Sequence, residues 1–359
     1  MIKVLIVAEE TERNTFIHNL SKALRENDCR VDIGIDKFWT SEEHFDVIHF
    51  HWPEHLSFKI NRKSLPPTPF RLRNIKRRIN QWKQAGTKLI LTRHNIESHE
   101  YPVGFSSLYT YLNHVVDGVV HMGDYSLKEF KQSNPEAVSK QAIIPHGWYD
   151  NIPNEVSATH ARNKLNLDEK SYVILAFGAL RKKEEEDFIL SAFNALDTPN
   201  KVLLIPRGFY YNNVLLFRLF DYLQLGFYKR WVKKKSKLLE SKEVMWDQRF
   251  IPIEEIQDYF NASNVVLIPR LEILNSGNVP MAFYFKKSVI GPNQGNVGSI
   301  LHETKNFIFD VTDTSSLSQA LKDAQASAEL GMANYTYAKN NWDWNTIGKQ
   351  HEQFYKSLF

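Results

Sequence analysis

Cysteine is all but missing from this chain. The single Cys29 excludes an intramolecular disulfide and any metal site built from several thiolates. Long apolar runs are missing too, and none approaches the ~20 residues of a bilayer-spanning helix. The opening Met1-Ile2-Lys3-Val4-Leu5-Ile6-Val7 reads as a buried strand with no signal-peptide cleavage pattern. A large excess of either charge is absent: a net +4 over 359 residues gives no bulk reason to bind nucleic acid. There is no lysine-bearing phosphate loop and no G-x-S-x-G nucleophile elbow. Gly291-Pro292-Asn293-Gln294-Gly295-Asn296-Val297-Gly298 is glycine-rich but lacks the G-x-G-x-x-G spacing and acidic partner of a dinucleotide site; it reads as a turn. A cytoplasmic globular chain is the simplest expectation.

What is present is a repeating pattern of short β-branched runs and helical segments. With 43% hydrophobic residues the chain has the material for packed cores, and its length suits two domains. Strands are expected at Lys3–Val7, Val31–Ile35, Val47–Phe50, Lys88–Thr92, Gly118–His121 and Ala142–Ile144. After a polar pause at 150–163 the pattern restarts with Tyr172–Phe177, Lys201–Ile205, Val265–Ile268 and Lys287–Ile290. Strands alternating with helices predict parallel βαβ units. The expected architecture is α/β, two Rossmann-like doubly wound domains. The first covers 1–160 plus a closing helix at about 343–359, and the second covers 161–342.

In such sheets ligands sit beyond the C-terminal ends of the strands. Those ends carry the chemistry here, and on two facing domains they predict an interdomain cleft. Histidines stand at several of them: His49 and His51, His94, His121, and His146. Imidazole gives or accepts protons near neutral pH. Trp52, Glu54, Asn95, Glu97 and Glu100 follow closely, and a carboxylate can act as base or stabilise a cationic sugar transition state. In the second half, Gly178-Ala179-Leu180-Arg181-Lys182 follows a strand. Gly178 permits close backbone approach and Arg181 can fork onto phosphate oxygens. Ser276, Gly277 and Asn278 fall where a turn enters a helix, and free N–H groups there favour an anion such as a diphosphate. No ligand spacing suggests a metal.

Two basic amphipathic stretches stand apart. One is 71–83, with Arg71, Arg73, Lys76, Arg77, Arg78 and Lys83; the other is 210–237, where aromatics alternate with lysines. Packing on the parent domain accounts for the first. The second suits either packing or peripheral contact with an anionic membrane.

At these residues the chain resembles the GT-B glycosyltransferases, most closely glycosyltransferase family 4 and bacterial polysaccharide-assembly relatives. Leu91-Thr92-Arg93-His94 is similar to the family's strand end whose histidine lies beside the donor sugar. Ile144-Pro145-His146-Gly147 resembles its turn into the linker, and Phe177-Gly178-Ala179-Leu180-Arg181 its donor-diphosphate loop. Arg249–Glu255 and Asn264–Pro269 resemble the approach to the donor motif, and Trp342-Asp343-Trp344 the start of the closing helix. Ile273 and Met281 stand where the family carries a glutamate pair, with Glu272 one residue from the first.

The resemblance implies a glycosyltransferase with a nucleotide-sugar donor as co-substrate, no cofactor, and a saccharide or lipid-linked acceptor in surface polysaccharide synthesis. It would work in the cytoplasm at the inner face of the membrane. With the strand-end carboxylates read above, the expected catalytic residues are His94, Glu54 and Glu100. Gly178, Arg181, Lys182, His146, Glu272, Ser276, Gly277 and Asn278 would hold the donor, and His51, Trp52 and Asn95 the acceptor. The alternatives are a sugar-nucleotide epimerase of the same fold and a non-catalytic sugar-nucleotide or polysaccharide binder. A dehydrogenase, lacking its glycine fingerprint, ranks last.

Overall fold

Six strands of the N-terminal half form one parallel sheet. They are β1 (Ile2–Val7), β2 (Cys29–Ile33), β3 (Val47–His51), β6 (Lys88–Thr92), β7 (Gly118–His121) and β8 (Lys140–Ile143), in the order β2-β1-β3-β6-β7-β8. The short β4 (Lys59–Ile60) and β5 (Lys63–Ser64) pair separately as a hairpin. In this computed structural model residues 1–9, 15–60, 63–97, 102–208, 230, 234, 243–246, 249 and 251–359 are described. The chain divides into two units, Met1–Gly147 with Asn341–Phe359, and Trp148–Asn340.

The first sheet is buried on both faces, as parallel sheets are. Every residue of β3 is buried. Its alternation sends Ile48 and Phe50 into a core with Leu5, Leu89, Leu91, Ile75, Ile79 and Phe105. His49 and His51 therefore share the opposite face. The closing helix (Trp344–Lys356) is capped by Asp343, which accepts from the Thr346 N–H at 2.9 Å. It packs on the helix Thr15–Arg25, burying Trp344, Ile347, His351, Phe354 and Tyr355.

The second unit repeats the scheme with β9 (Tyr172–Leu175), β10 (Lys201–Ile205), β11 (Val244–Trp246), β12 (Val265–Leu267), β13 (Ser288–Pro292) and β14 (Phe307–Phe309). All pairings are parallel, in the order β11-β10-β9-β12-β13-β14. Ile174, Leu203, Val265 and Ile290 meet Phe188, Ile189, Phe193 and Leu317 in its core. Strand order reverses between β9 and β12, and the ends of those two strands bound the crevice where such sheets bind ligands.

Several sequence expectations need correction. The second strand ends at Ile33, and Ile35 opens a helix (Ile35–Thr40) instead. Pro102–Val115 is a helix that the sequence reading passed over. The glycine-rich 291–298 is not a turn: it holds the end of β13 and the start of a helix, Gly295–Glu303. The polar stretch 150–163 lies in the second unit. The Gln257 amide oxygen accepts from the Glu155 and Val156 N–H groups, and the buried Arg162 donates to the Ala262 carbonyl. Within the first basic stretch, now the helix Pro69–Gln84, Arg71 donates to the Leu56 carbonyl and Arg78 to those of Phe38 and Ser41. These two cations are structural. The stretch 210–237 lies outside the described residues except 230 and 234, and no described helix is long and apolar enough to cross a membrane.

Candidate functional site

Beyond the ends of β3 and β6 the first unit gathers aromatic and imidazole rings. His51 Nδ1 lies 2.8 Å from His94 Nε2. The Trp52 ring stacks on His94 with centroids 4.0 Å apart and planes 17° apart. Trp52 holds φ 50° and ψ 75°. A left-handed backbone at so bulky a residue costs about 1–3 kcal/mol and is found chiefly at functional sites. Phe16 is the hub of the cluster. Its ring lies 5.1 Å from His94, edge-on, 4.8 Å from His146 and 5.6 Å from Trp344. A small pocket is lined by Trp52, Pro53, Leu91, Thr92, Arg93, His94, Asn95 and Tyr109. Glu54, half-buried beside it, accepts from the Tyr109 hydroxyl at 2.6 Å, and burial next to this carboxylate pushes the phenol well above its usual range.

Below this layer, His49 joins the Tyr355 hydroxyl (2.8 Å) through Nδ1 and the Thr92 hydroxyl (2.7 Å) through Nε2. His351 donates from Nδ1 to the Ile347 carbonyl, and His146 likewise to that of Gly147. Burial keeps all of these imidazoles neutral. His49 and His51 are held well below the usual histidine value, and His146 and His351 are pushed down to about 4. His121 does not join the cluster. It bonds Ser126 (2.8 Å) and Gln141 (2.7 Å) and serves the sheet. Glu100 lies outside the described residues.

In the second unit the segments after β9 and β12 are tied together. The Asn278 side-chain amide donates to the Phe177 carbonyl. Gly178 follows at φ 109°, a backbone favoured by glycine, and a Cβ there would sit 3.8 Å from Asn278 Nδ2 and 3.9 Å from the Arg270 guanidinium. Ser276 and Gly277 lead into the helix Asn278–Tyr284, and the Ser276 hydroxyl accepts from the Asn278 N–H. Arg181 and Lys182 are exposed, and Lys182 pairs with exposed Glu272 at 2.6 Å.

Two residues that the sequence reading passed over hold this loop. Glu185, buried, accepts from the Arg181 N–H (2.6 Å), the Lys182 N–H (3.3 Å) and Arg270 (3.3 Å). Arg270, 9% exposed, also donates to the carbonyls of Ala179 (3.0 Å) and Pro269 (2.6 Å). Burial, with Arg181 close by, pushes its guanidinium down to about 10. The start of the helix Lys183–Ala195 is thereby neutralised from within the protein. An incoming anion would meet the side chains of Arg181 and Lys182 and the positive end of the helix that starts at Asn278, whose own first N–H groups at Asn278 and Val279 are taken by Ser276. Among the described residues, no three His, Cys, Asp or Glu side chains come together as a metal would require.

Solved structures match the chain over its whole length. HepE from Anabaena in complex with UDP is 14% identical, covers 99% of this chain and 100% of its own, and gives a TM-score of 0.69. Sucrose-phosphate synthase from Thermosynechococcus elongatus is 14% identical, with 100% and 99% covered and a TM-score of 0.66. The catalytic domain of Starch Synthase IV from Arabidopsis thaliana, bound to ADP and acarbose, is 11% identical, with 100% and 99% covered and a TM-score of 0.65. No family model and no curated protein matches the sequence. The likeness establishes the fold: this is a GT-B chain of two Rossmann-like domains, as the motifs implied.

Proposed function

We propose that this protein is a nucleotide-sugar-dependent glycosyltransferase. The observation that carries the reading is the bond from Asn278 to the Phe177 carbonyl. It joins two anion-seeking segments at the point where strand order reverses, the usual ligand site of such a sheet. Arg181, Lys182 and the helix start at Ser276 to Asn278 would neutralise the leaving diphosphate, with fixed charge and dipoles as the electrophilic catalyst. The matched structures that carry UDP, UDP-glucose or ADP support a nucleotide-sugar donor.

The first unit would supply the acceptor side through Trp52, Asn95 and the half-buried Glu54. The Tyr109 hydroxyl donates to that carboxylate and holds its orientation. A saccharide or lipid-linked saccharide is the proposed acceptor class, in surface polysaccharide assembly at the cytoplasmic face of the membrane.

A thermal-shift screen against nucleoside diphosphates and their sugars tests the donor, since a ligand of the folded state raises its melting temperature. Arg181→Ala should abolish the shift given by the best ligand. No shift with any nucleotide would overturn the reading. Interconversion of the nucleotide sugar without an acceptor would identify an epimerase, and binding without turnover on a competent donor–acceptor pair a non-catalytic binder.

A further inference from the structure

We infer that Glu272 is a specificity-determining residue of the donor seat. Its carboxylate competes for the Lys182 ammonium, so the seat favours an intact nucleotide sugar over the more highly charged diphosphate that transfer leaves behind. Glu272 follows β12 and Lys182 follows β9, 90 residues apart in sequence, and Glu272 Oε2 stands 2.6 Å from Lys182 Nζ. These are the same two segments that the Asn278 amide joins at the Phe177 carbonyl.

Both backbones are anchored. The Lys182 N–H donates to buried Glu185 at 3.3 Å, and the Leu180 N–H to the Gly208 carbonyl at 2.9 Å. On the other side the Leu274 carbonyl accepts from the Asn296 N–H at 2.8 Å. Gly295 packs so closely there that a Cβ would sit 2.3 Å from the Ile273 carbonyl oxygen. The pair itself is open to solvent, with side chains 54% and 79% exposed. An exposed ion pair is weak. It opens by side-chain rotation, with neither segment rearranged.

A carboxylate beside the ammonium repels an arriving anion in proportion to the anion's charge. In the transfer, the bond from the sugar's anomeric carbon to the terminal phosphate oxygen breaks, and its electron pair stays on that oxygen. A new bond forms to the acceptor hydroxyl oxygen, whose proton is released. The diphosphate thereby gains a negative charge that the donor lacked, because a terminal phosphate gives up its second proton at about pH 6. Glu272 therefore opposes the product more than the donor, and it hastens release without gripping the sugar. This role rests on the glycosyltransferase reading, since only loss of the sugar creates the difference in charge.

Calorimetric titration of the full chain with UDP, ADP and GDP and with their glucose esters, at about pH 8 where the terminal phosphate is ionised, reads the discrimination. Glu272→Gln keeps the size of this exposed side chain and removes its charge. The variant should bind both forms more tightly, gaining about threefold more for the diphosphate than for its glucose ester. Glu272→Asp keeps the charge and should keep the wild-type ratio; if it matched Glu272→Gln, charge would not be the cause. With nucleotide binding intact, an unchanged ratio in Glu272→Gln overturns the inference alone. So does a loss of affinity for the glucose ester, which would mean that the carboxylate grips the sugar. A wild type that binds none of these nucleotides overturns the glycosyltransferase reading, and this inference with it.

Discussion

The side-chain amide of Asn278 donates to the main-chain carbonyl of Phe177, 101 residues away in sequence. That bond sets the distance between a loop bearing Arg181 and Lys182 and a helix start bearing Ser276 and Gly277. Asn278→Ala removes it and leaves the Phe177 carbonyl without that partner. Stability should fall by about 1–2 kcal/mol. Affinity for a nucleoside diphosphate should fall about tenfold as the two segments drift. Calorimetric titration against the best nucleotide checks this, and unchanged affinity would show that the bond does not shape the seat.

Arg270 and Glu185 form a buried pair at 3.3 Å in which both side chains are 10% exposed or less. Removing one partner of such a pair usually costs about 3–5 kcal/mol, because the other charge stays buried alone. Glu185 still holds the Arg181 and Lys182 N–H groups, so Arg270→Met should fall near the lower figure. Adding Glu185→Gln should recover part of that loss. Urea unfolding of both single variants and the double variant measures the coupling; simple additivity would mean that the pair acts through something other than its charge.

The sequence displayed the two sheets because parallel strands buried on both faces read as apolar runs, and Val47–Phe50 and Val265–Ile268 could hardly be anything else. It also displayed the strand ends, hence Arg181, Asn278 and His94. It concealed partners brought from afar. Phe16 reads as one apolar position on a helix, yet its ring touches His94, His146 and Trp344. Glu185 reads as one more acid in the run Glu184-Glu185-Glu186-Asp187, yet it turns inward to meet Arg270. His121 shows the converse error: it matches the other strand-end histidines in type and place, but Ser126 and Gln141 claim both its nitrogens.

Gly147 tests how tightly the aromatic hub is seated. A Cβ at this position would lie 2.2 Å from Trp344 Cε2, well inside any tolerated contact, and the indole is rigid. Gly147→Ala should cost about 1–3 kcal/mol as overpacking. It should also displace Phe16, and with it the ring contacts to His94 and His146. Pairing it with Trp344→Leu opens room, so the double variant should lose less than the sum of the singles. Thermal unfolding of the three variants decides it, additivity being the result that would count against this packing.

The buried imidazoles give the fold a definite acid limit. In the unfolded chain a histidine takes its proton near pH 6.5. In the folded protein His121, His146 and His351 refuse it until about pH 4, chiefly because burial penalises the charged ring. Between those values the unfolded state binds more protons, so stability falls as pH falls through that window. It is complete above about 6.5 and levels off below about 4, where both states are charged. Each such histidine contributes roughly 3 kcal/mol over the window. Denaturant unfolding at a series of pH values should therefore show a steep loss beginning already below pH 6.5, earlier than carboxylate protonation alone would give. His351→Met keeps a bulky apolar side chain in the closing helix and should flatten that slope. A slope unchanged by this substitution would mean that the ring takes its proton as readily in the folded protein as in the unfolded chain, against the burial seen here.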